Sequence, residues 1–222
     1  MANIDEKYKF EPTAFDYVNT EAEVVIVGIT PGNSQLEGSR EGLSPREIKR
    51  KFAFAGKMRP NLVNMLDFIG VNSLLDIESC STLWEEDFDK VDMTSLLVEA
   101  TYEVKKDGTK EMFRHAQKIA KSEKLTRMLE EGFVKNCSRY ENAVLYVACG
   151  LGVYDVLKGL LEEQEIKGQV VGIAHPSGAN MKCIQCYLGK KEPTTQSLQR
   201  YVEKAQEAKK IVNCEIANCA IV

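Results

Sequence analysis

Short, continuously apolar runs that stop at a glycine or a histidine constrain this chain more than any other feature. Residues 23–29 (EVVIVGI), 143–150 (AVLYVACG) and 169–174 (QVVGIA) read as strands buried on both faces, as in a parallel sheet. Residues 91–104 (VDMTSLLVEATYEV) are also strand-like, and their length predicts a strand that runs on into a hairpin arm turned at 105–108 (KKDG). Helical patterns lie between these runs. Ser44 as N-cap, Pro45 at the first helical position and Glu47 closing a capping box open a helix. Leu62, Met65, Leu66 and Ile69 follow at helical spacing, and Gly70 ends that helix. Leu125, Met128, Leu129 and Phe133 mark a further helix face, a helix follows the glycine at 150, and Leu198, Tyr201, Val202 and Ala205 mark the last one. Alternating β and α units of this kind predict an α/β fold: a three-layer α/β/α sandwich around a central, mostly parallel four-stranded sheet.

A chain of 222 residues, 44% hydrophobic and 28% charged, suits one soluble domain over 1–222, with its core at about 20–212. Residues 213–222 (NCEIANCAIV) are expected to form either an extra edge strand or a disordered tail. The opening MANIDEKYKF has no apolar signal region and no run is long enough to span a membrane, so a cytoplasmic protein is expected. The seven cysteines are scattered, and the lone C-x-x-C at Cys183 and Cys186 lacks a second ligand pair, so neither a disulfide framework nor a metal site is expected. The terminal CAIV has the outline of a prenylation box, but Val222 is an unusual last residue and only Lys209 and Lys210 add nearby positive charge.

In open parallel sheets, ligands bind beyond the carboxyl ends of the strands. Two unusual stretches fall there, GITPG (28–32) and HPS (175–177). Gly28 and Gly32, with Pro31 between them fixing the peptide planes, let backbone amides approach carbonyl or phosphate oxygens. His175, one of two histidines, is followed by a stiffening proline and by the hydroxyl of Ser177. Net charge is −4, so no global field draws the protein to nucleic acid. Locally, residues 45–59 carry Arg46, Lys49, Arg50, Lys51, Lys57 and Arg59 against Glu47 alone; on composition this is a solvated helix face.

Taken in order, these pieces resemble the uracil-DNA glycosylase superfamily. Its first motif, Gly-x-(Asn, Asp or Ala)-Pro-(Gly or Tyr), is similar to GITPG at 28–32, and its last, His-Pro-Ser, matches 175–177. The iron–sulfur branch of that superfamily has segments similar to FAGKMRPNLVNMLDFIGV (54–71), VDMTSLLVE (91–99) and VLYVACGLGVYDVLKGL (144–160). The resemblance spans about 24–180 and implies roles at the matching positions. His175 would stabilise negative charge on a departing base. The amides around Gly28, Ile29, Thr30, Pro31 and Gly32 would cradle the base edge, and Phe54 would stack on the extruded base. Ser177 would contact phosphate as the 175–180 loop presses the minor groove, and the basic run (Lys51, Lys57, Arg59) would meet nucleic acid.

The pattern breaks in three places. Where relatives carry a carboxylate or amide that orients water, this chain has Thr30, a poor general base, with Asn33 nearby as a substitute. The asparagine that reads uracil aligns with Ser95, which implies weakened or altered base selectivity. The cluster cysteines have no counterparts, so no cofactor and no metal cluster are expected, and Cys149 is expected to pack. The resemblance therefore implies a DNA N-glycosylase of altered or relaxed specificity, with single-stranded or damaged DNA as partner and a nucleoid association if it serves repair. Two alternatives stay open: a glycosylase-fold protein that binds a base, nucleotide or nucleic acid without efficient cleavage, and an unrelated α/β enzyme acting on small nucleotides or other phosphates.

Overall fold

The computed structural model describes residues 7–13 and 17–219. At its centre, β2 (Val24–Gly28), β3 (Val91–Ser95), β6 (Leu145–Cys149) and β7 (Gln169–Ile173) form a wholly parallel sheet in the order β3-β2-β6-β7. Strand periodicity sorts their side chains into two cores. Val24, Ile26, Leu145, Val147, Val171 and Ile173 face one side, while Val25, Val27, Tyr146, Ala148 and Val170 face the other. The first face is covered by α3 (Met58–Ile69), the short α4 (Val71–Leu74), α8 (Met181–Tyr187) and α9 (Gln196–Cys219). The second is covered by α5 (Glu123–Met128) with the π-helical turn Leu129–Val134 and the three-residue α6 (Lys135–Cys137) after it, and by α7 (Leu151–Glu162). The three-layer α/β/α sandwich expected from the sequence is what the chain forms. None of its helices, among the described residues, is long and apolar enough to cross a membrane.

The chain builds β2, steps to β3 on one side, then crosses to β6 on the other. Strand order thus reverses about β2, and the crevice beyond the ends of β2 and β6 is the topological switch point. The turn after β2 leads into α1 (Asn33–Arg40), and α2 (Pro45–Phe52) follows. Ser44, Pro45 and Glu47 cap α2 as expected: the Glu47 amide donates to Ser44 Oγ, and the Ser44 amide donates to the Glu47 carboxylate.

Four details differ from the sequence expectations. The helical pattern from Ser44 to Gly70 is two helices, α2 and α3, separated at 53–57 by a turn in which Phe54 takes φ 51°. The strand expected over 91–104 is broken. The amides of Leu96 and Leu97 donate to the carbonyls of Gly28 and Ile29, and β4 (Ala100–Val104) restarts in a second sheet. That sheet is antiparallel, in the order β1-β4-β5, with β1 at Tyr8–Glu11 and β5 at Lys110–Met112. Its hairpin turns at 105–108 as expected, with Gly108 at φ 83°. β1 (Tyr8–Glu11), N-terminal to the expected core boundary, pairs along β4. Finally, residues 213–219 are neither strand nor loose tail but the end of the 24-residue α9, whose Ala205, Ala208 and Val212 are buried. Residues 220–222 of the terminal CAIV lie outside the described residues.

A buried ion pair ties α2 to the sheet. Lys49 Nζ lies 2.7 Å from Asp92 Oδ1, and both side chains are almost wholly buried. Tyr140 donates its hydroxyl to the other carboxylate oxygen at 2.6 Å, and the Asn19 and Met93 amides complete the shell. Burial and the neighbouring carboxylate hold the Tyr140 hydroxyl protonated far above the ordinary tyrosine range. One member of the apparently solvated basic run is therefore a core residue.

Candidate active site

The carboxyl ends of all four parallel strands open into one cavity of about 670 Å³, a size typical of small-molecule sites. Gly28 closes β2, Ser95 closes β3, Cys149 and Gly150 close β6, and His175 follows β7; each lines the cavity. Phe54 reaches the same cavity from the α2–α3 turn. Its ring lies directly over the β2 turn, since a methyl group added at Gly28 would sit 3.9 Å from Phe54 Cζ and 3.6 Å from Ser95 Oγ. The stretches singled out in the sequence, 28–32, 54 and 175–177, thus converge on one hollow.

The conformation of Phe54 is costly for a side chain other than glycine, by roughly 1–3 kcal/mol. Its neighbours impose it. Trp84 donates its indole N–H to the Ala53 carbonyl at 2.9 Å, and the Arg59 guanidinium stacks on Trp84 with its centre 4.7 Å from the ring centroid. Arg59 Nη2 donates to the Lys51 carbonyl at 3.0 Å, and more loosely to those of Arg50 and Ala53. The turn is clamped from both sides, and the ring is aimed at the cavity.

His175 is largely buried, and desolvation lowers its pKa below the ordinary 6.5. The Ser177 amide donates to its Nδ1 at 3.3 Å, so in the neutral ring the proton sits on Nε2. The loop holding this arrangement is pinned twice more: Asn61 of α3 donates to the Pro176 carbonyl at 2.8 Å, and Asn180 donates to Ser177 Oγ at 2.9 Å. A neutral imidazole with a fixed N–H donor suits a carbonyl oxygen that gains charge.

Burial of a neutral histidine has a thermodynamic consequence. The unfolded chain takes up a proton near pH 6.5 that the folded chain refuses until its own lower pKa is reached. Stability should therefore be full above about pH 6.5, the unfolded value, and fall as pH drops from there toward the lower folded value. Urea unfolding between about pH 5 and 7.5 checks this, with the His175→Gln variant expected to lack that component of the slope.

The other expected site residues divide. Ile29, Thr30 and Gly32 line the cavity; Pro31 is buried behind the turn, and Asn33 points outward, within 3.4 Å of the Tyr102 hydroxyl. Thr30 Oγ1 donates to the Glu99 carbonyl and accepts from the Thr101 amide, both at 2.9 Å, so its hydroxyl ties the turn to the hairpin arm. The Gly32 amide donates to Gln35 Oε1 in the first turn of α1 rather than pointing freely at a ligand. Ser177 lines the cavity rim. Lys51 and Lys57 are exposed beside it without lining it, and Arg59 is spent on the clamp.

Several lining residues were not anticipated. Arg114 and Gln117 come from the return of the hairpin arm, whose path depends on a second sheet that the sequence does not announce. Gly150, at φ 110°, lies against His175, with a methyl group there 3.6 Å from its Cβ. Asn61, which pins the Pro176 carbonyl without lining the cavity, lies within the 54–71 segment but has no special spacing. Among the described residues, no aspartate or glutamate lines the cavity, and no cluster of metal-binding side chains occurs. Cys149 is fully buried at the cavity floor, and burial raises its thiol pKa far above the ordinary range.

No family model matches the chain. It is 26% identical over 200 residues to the uncharacterized protein YoxB of Bacillus subtilis, covering 84% of this chain and 77% of that one. Among solved structures, it matches wild-type SMUG2 of Pedobacter heparinus with a TM-score of 0.45 and 15% identity, over 86% of this chain and 76% of that one.

Proposed function

We propose that this chain is a uracil-DNA glycosylase-like protein that takes a base flipped out of DNA and hydrolyses its N-glycosidic bond, with specificity altered or relaxed relative to uracil. The observation that carries this reading is the convergence of the Gly28–Gly32 turn, Phe54 and a neutral, N–H-donating His175 on one cavity. The base would stack on Phe54, and a base carbonyl would accept from His175 Nε2. As the C1′–N bond breaks, its electron pair passes to the base, and the imidazole N–H stabilises the charge that reaches the carbonyl oxygen. Water then adds to C1′ and loses its proton to solvent. Ser95 offers one hydroxyl where an amide would offer a donor and an acceptor, which supports relaxed reading of the base. Ser177, Lys51 and Lys57 would meet the phosphates, Lys51 and Lys57 from their exposed positions beside the rim.

One observation favours the second reading, binding without efficient cleavage. Among the described residues no carboxylate lines the cavity, and the Thr30 hydroxyl already bonds two backbone groups, so no described side chain here is a strong base for water. Abasic-site formation on single- and double-stranded oligonucleotides carrying uracil, deaminated purines or alkylated bases separates the two. Strand scission after alkali at one or more of these bases is the expected result. Binding without any abasic site supports the second reading, and no binding at all ends both.

Phe54→Gly tests the pocket in either case. Glycine accepts the positive φ freely, which offsets part of the packing lost. Loss of a stacked base, worth about 1–3 kcal/mol, should weaken binding of the preferred oligonucleotide by about 5–150-fold. Fluorescence anisotropy with a labelled oligonucleotide measures it.

A further inference from the structure

A second hollow, of about 750 Å³, lies on the opposite side of Gln117 and Gly152 from the first, and these two residues line both. Its floor is apolar, built from Ile119, Leu129, Val156 and Leu160. Its rim carries Glu130, Asp155, Glu163 and Glu165, and among the described residues no lysine, arginine or histidine lines it. Among the described residues, none of these four carboxylates forms an ion pair within the chain.

The helix that walls this groove is built as if something lies on it. Gly159 sits inside the 12-residue α7, where glycine costs helix stability relative to alanine, yet beyond its chain neighbours and its own helix backbone no described residue lies within 4 Å of where its side chain would be. Packing among the described residues does not account for that glycine, whereas close approach of an outside element would. The facing wall includes Leu129, Glu130 and Val134 of the π-helical turn, a conformation frequent at functional sites. A four-carboxylate rim repels phosphate, so the groove is not a continuation of a nucleic-acid track.

We propose that this groove docks a cationic amphipathic helix of a partner protein, its apolar face on Val156 and Leu160 over Gly159 and its lysines or arginines against the acidic rim. This is independent of the function proposed for the first cavity. The partner would lie against Gln117 and Gly152, the wall that the two hollows share.

Fluorescence anisotropy of a labelled 18-residue leucine–lysine helical peptide against the full chain tests the proposal. Binding is expected, with at least a tenfold loss in Gly159→Leu, which fills the space, and in Glu130→Lys/Glu163→Lys, which cancels the net negative charge of the rim. Gly159→Leu replaces a helix-interior glycine where space is open, so its melting temperature should hold or rise, which separates lost docking from lost folding. The proposal is overturned if the peptide does not bind, if both variants bind like the parent, or if a leucine–glutamate peptide binds as tightly. It is equally overturned if sedimentation shows a dimer that Gly159→Leu dissolves, or if single-stranded DNA displaces the peptide from the parent and not from the variants.

Discussion

His175→Ala should lower base release by about 100–1,000-fold while leaving the melting temperature nearly unchanged. The size follows from removing one preorganised donor aimed at developing charge, worth about 3–4 kcal/mol. Preorganisation is visible in the loop: the Ser177 amide holds Nδ1, Asn61 holds the Pro176 carbonyl, and Asn180 holds Ser177 Oγ. The fold should survive because, among the described residues, the imidazole's one hydrogen bond is accepted from a single backbone amide. His175→Gln, which can present an N–H, should recover part of the lost rate. Because the ring acts in its neutral form and burial lowers its pKa, the rate should not fall as pH rises from 6.5 to 8 through loss of a proton from this group. Single-turnover base release by the parent and both variants checks all three statements. Equal rates in parent and His175→Ala would remove this residue from the chemistry.

The second large effect is on stability. Lys49→Met should destabilise the protein by about 3–5 kcal/mol, because it strands the Asp92 carboxylate in the core without its cation. For a domain of this size that is a fall of about 6–20 °C in melting temperature. Adding Asp92→Asn to that variant should recover much of the loss, since a neutral amide carries no uncompensated charge and can still accept from Tyr140. Base release should suffer as well in the single variant. The pair anchors α2 to β3, and the turn carrying Phe54 begins directly after that helix. Calorimetry on both variants is decisive: a Lys49→Met protein as stable as the parent would show that the pair does not hold the helix.

The sequence announces the parallel sheet because continuous apolar runs such as Val24–Gly28 have few other uses, and both of their faces prove to be buried. It announces the rim of the site for a related reason: glycine and His-Pro-Ser at strand ends mark where the sheet stops and loops begin. Three things were illegible. The pairing of Tyr8–Glu11 with β4 joins segments about ninety residues apart through a strand, YKFE, with little apolar signal. Lys49 looked like its basic neighbours because only the fold brings Asp92 under it. Thr30 resembles a degraded catalytic position, and its partners, the Glu99 carbonyl and the Thr101 amide, lie at the break between β3 and β4, which no local pattern encodes. The C-terminal segment was misjudged for a simpler reason. Ala205, Ala208, Val212 and Ile216 keep helical spacing, but with too few large apolar residues to stand out.

Imidazole resonances give the most direct test, because the chain holds only His115 and His175. In a ¹⁵N-labelled sample, His175 should report the neutral tautomer with its proton on Nε2. Adding free uracil and a panel of purine and pyrimidine bases should shift that N–H signal for at least one of them, leave His115 unmoved, and lose its effect in Phe54→Gly. A His175 signal that stays in place at saturating concentrations of every base would mean that the ring and the imidazole do not share a base-binding pocket.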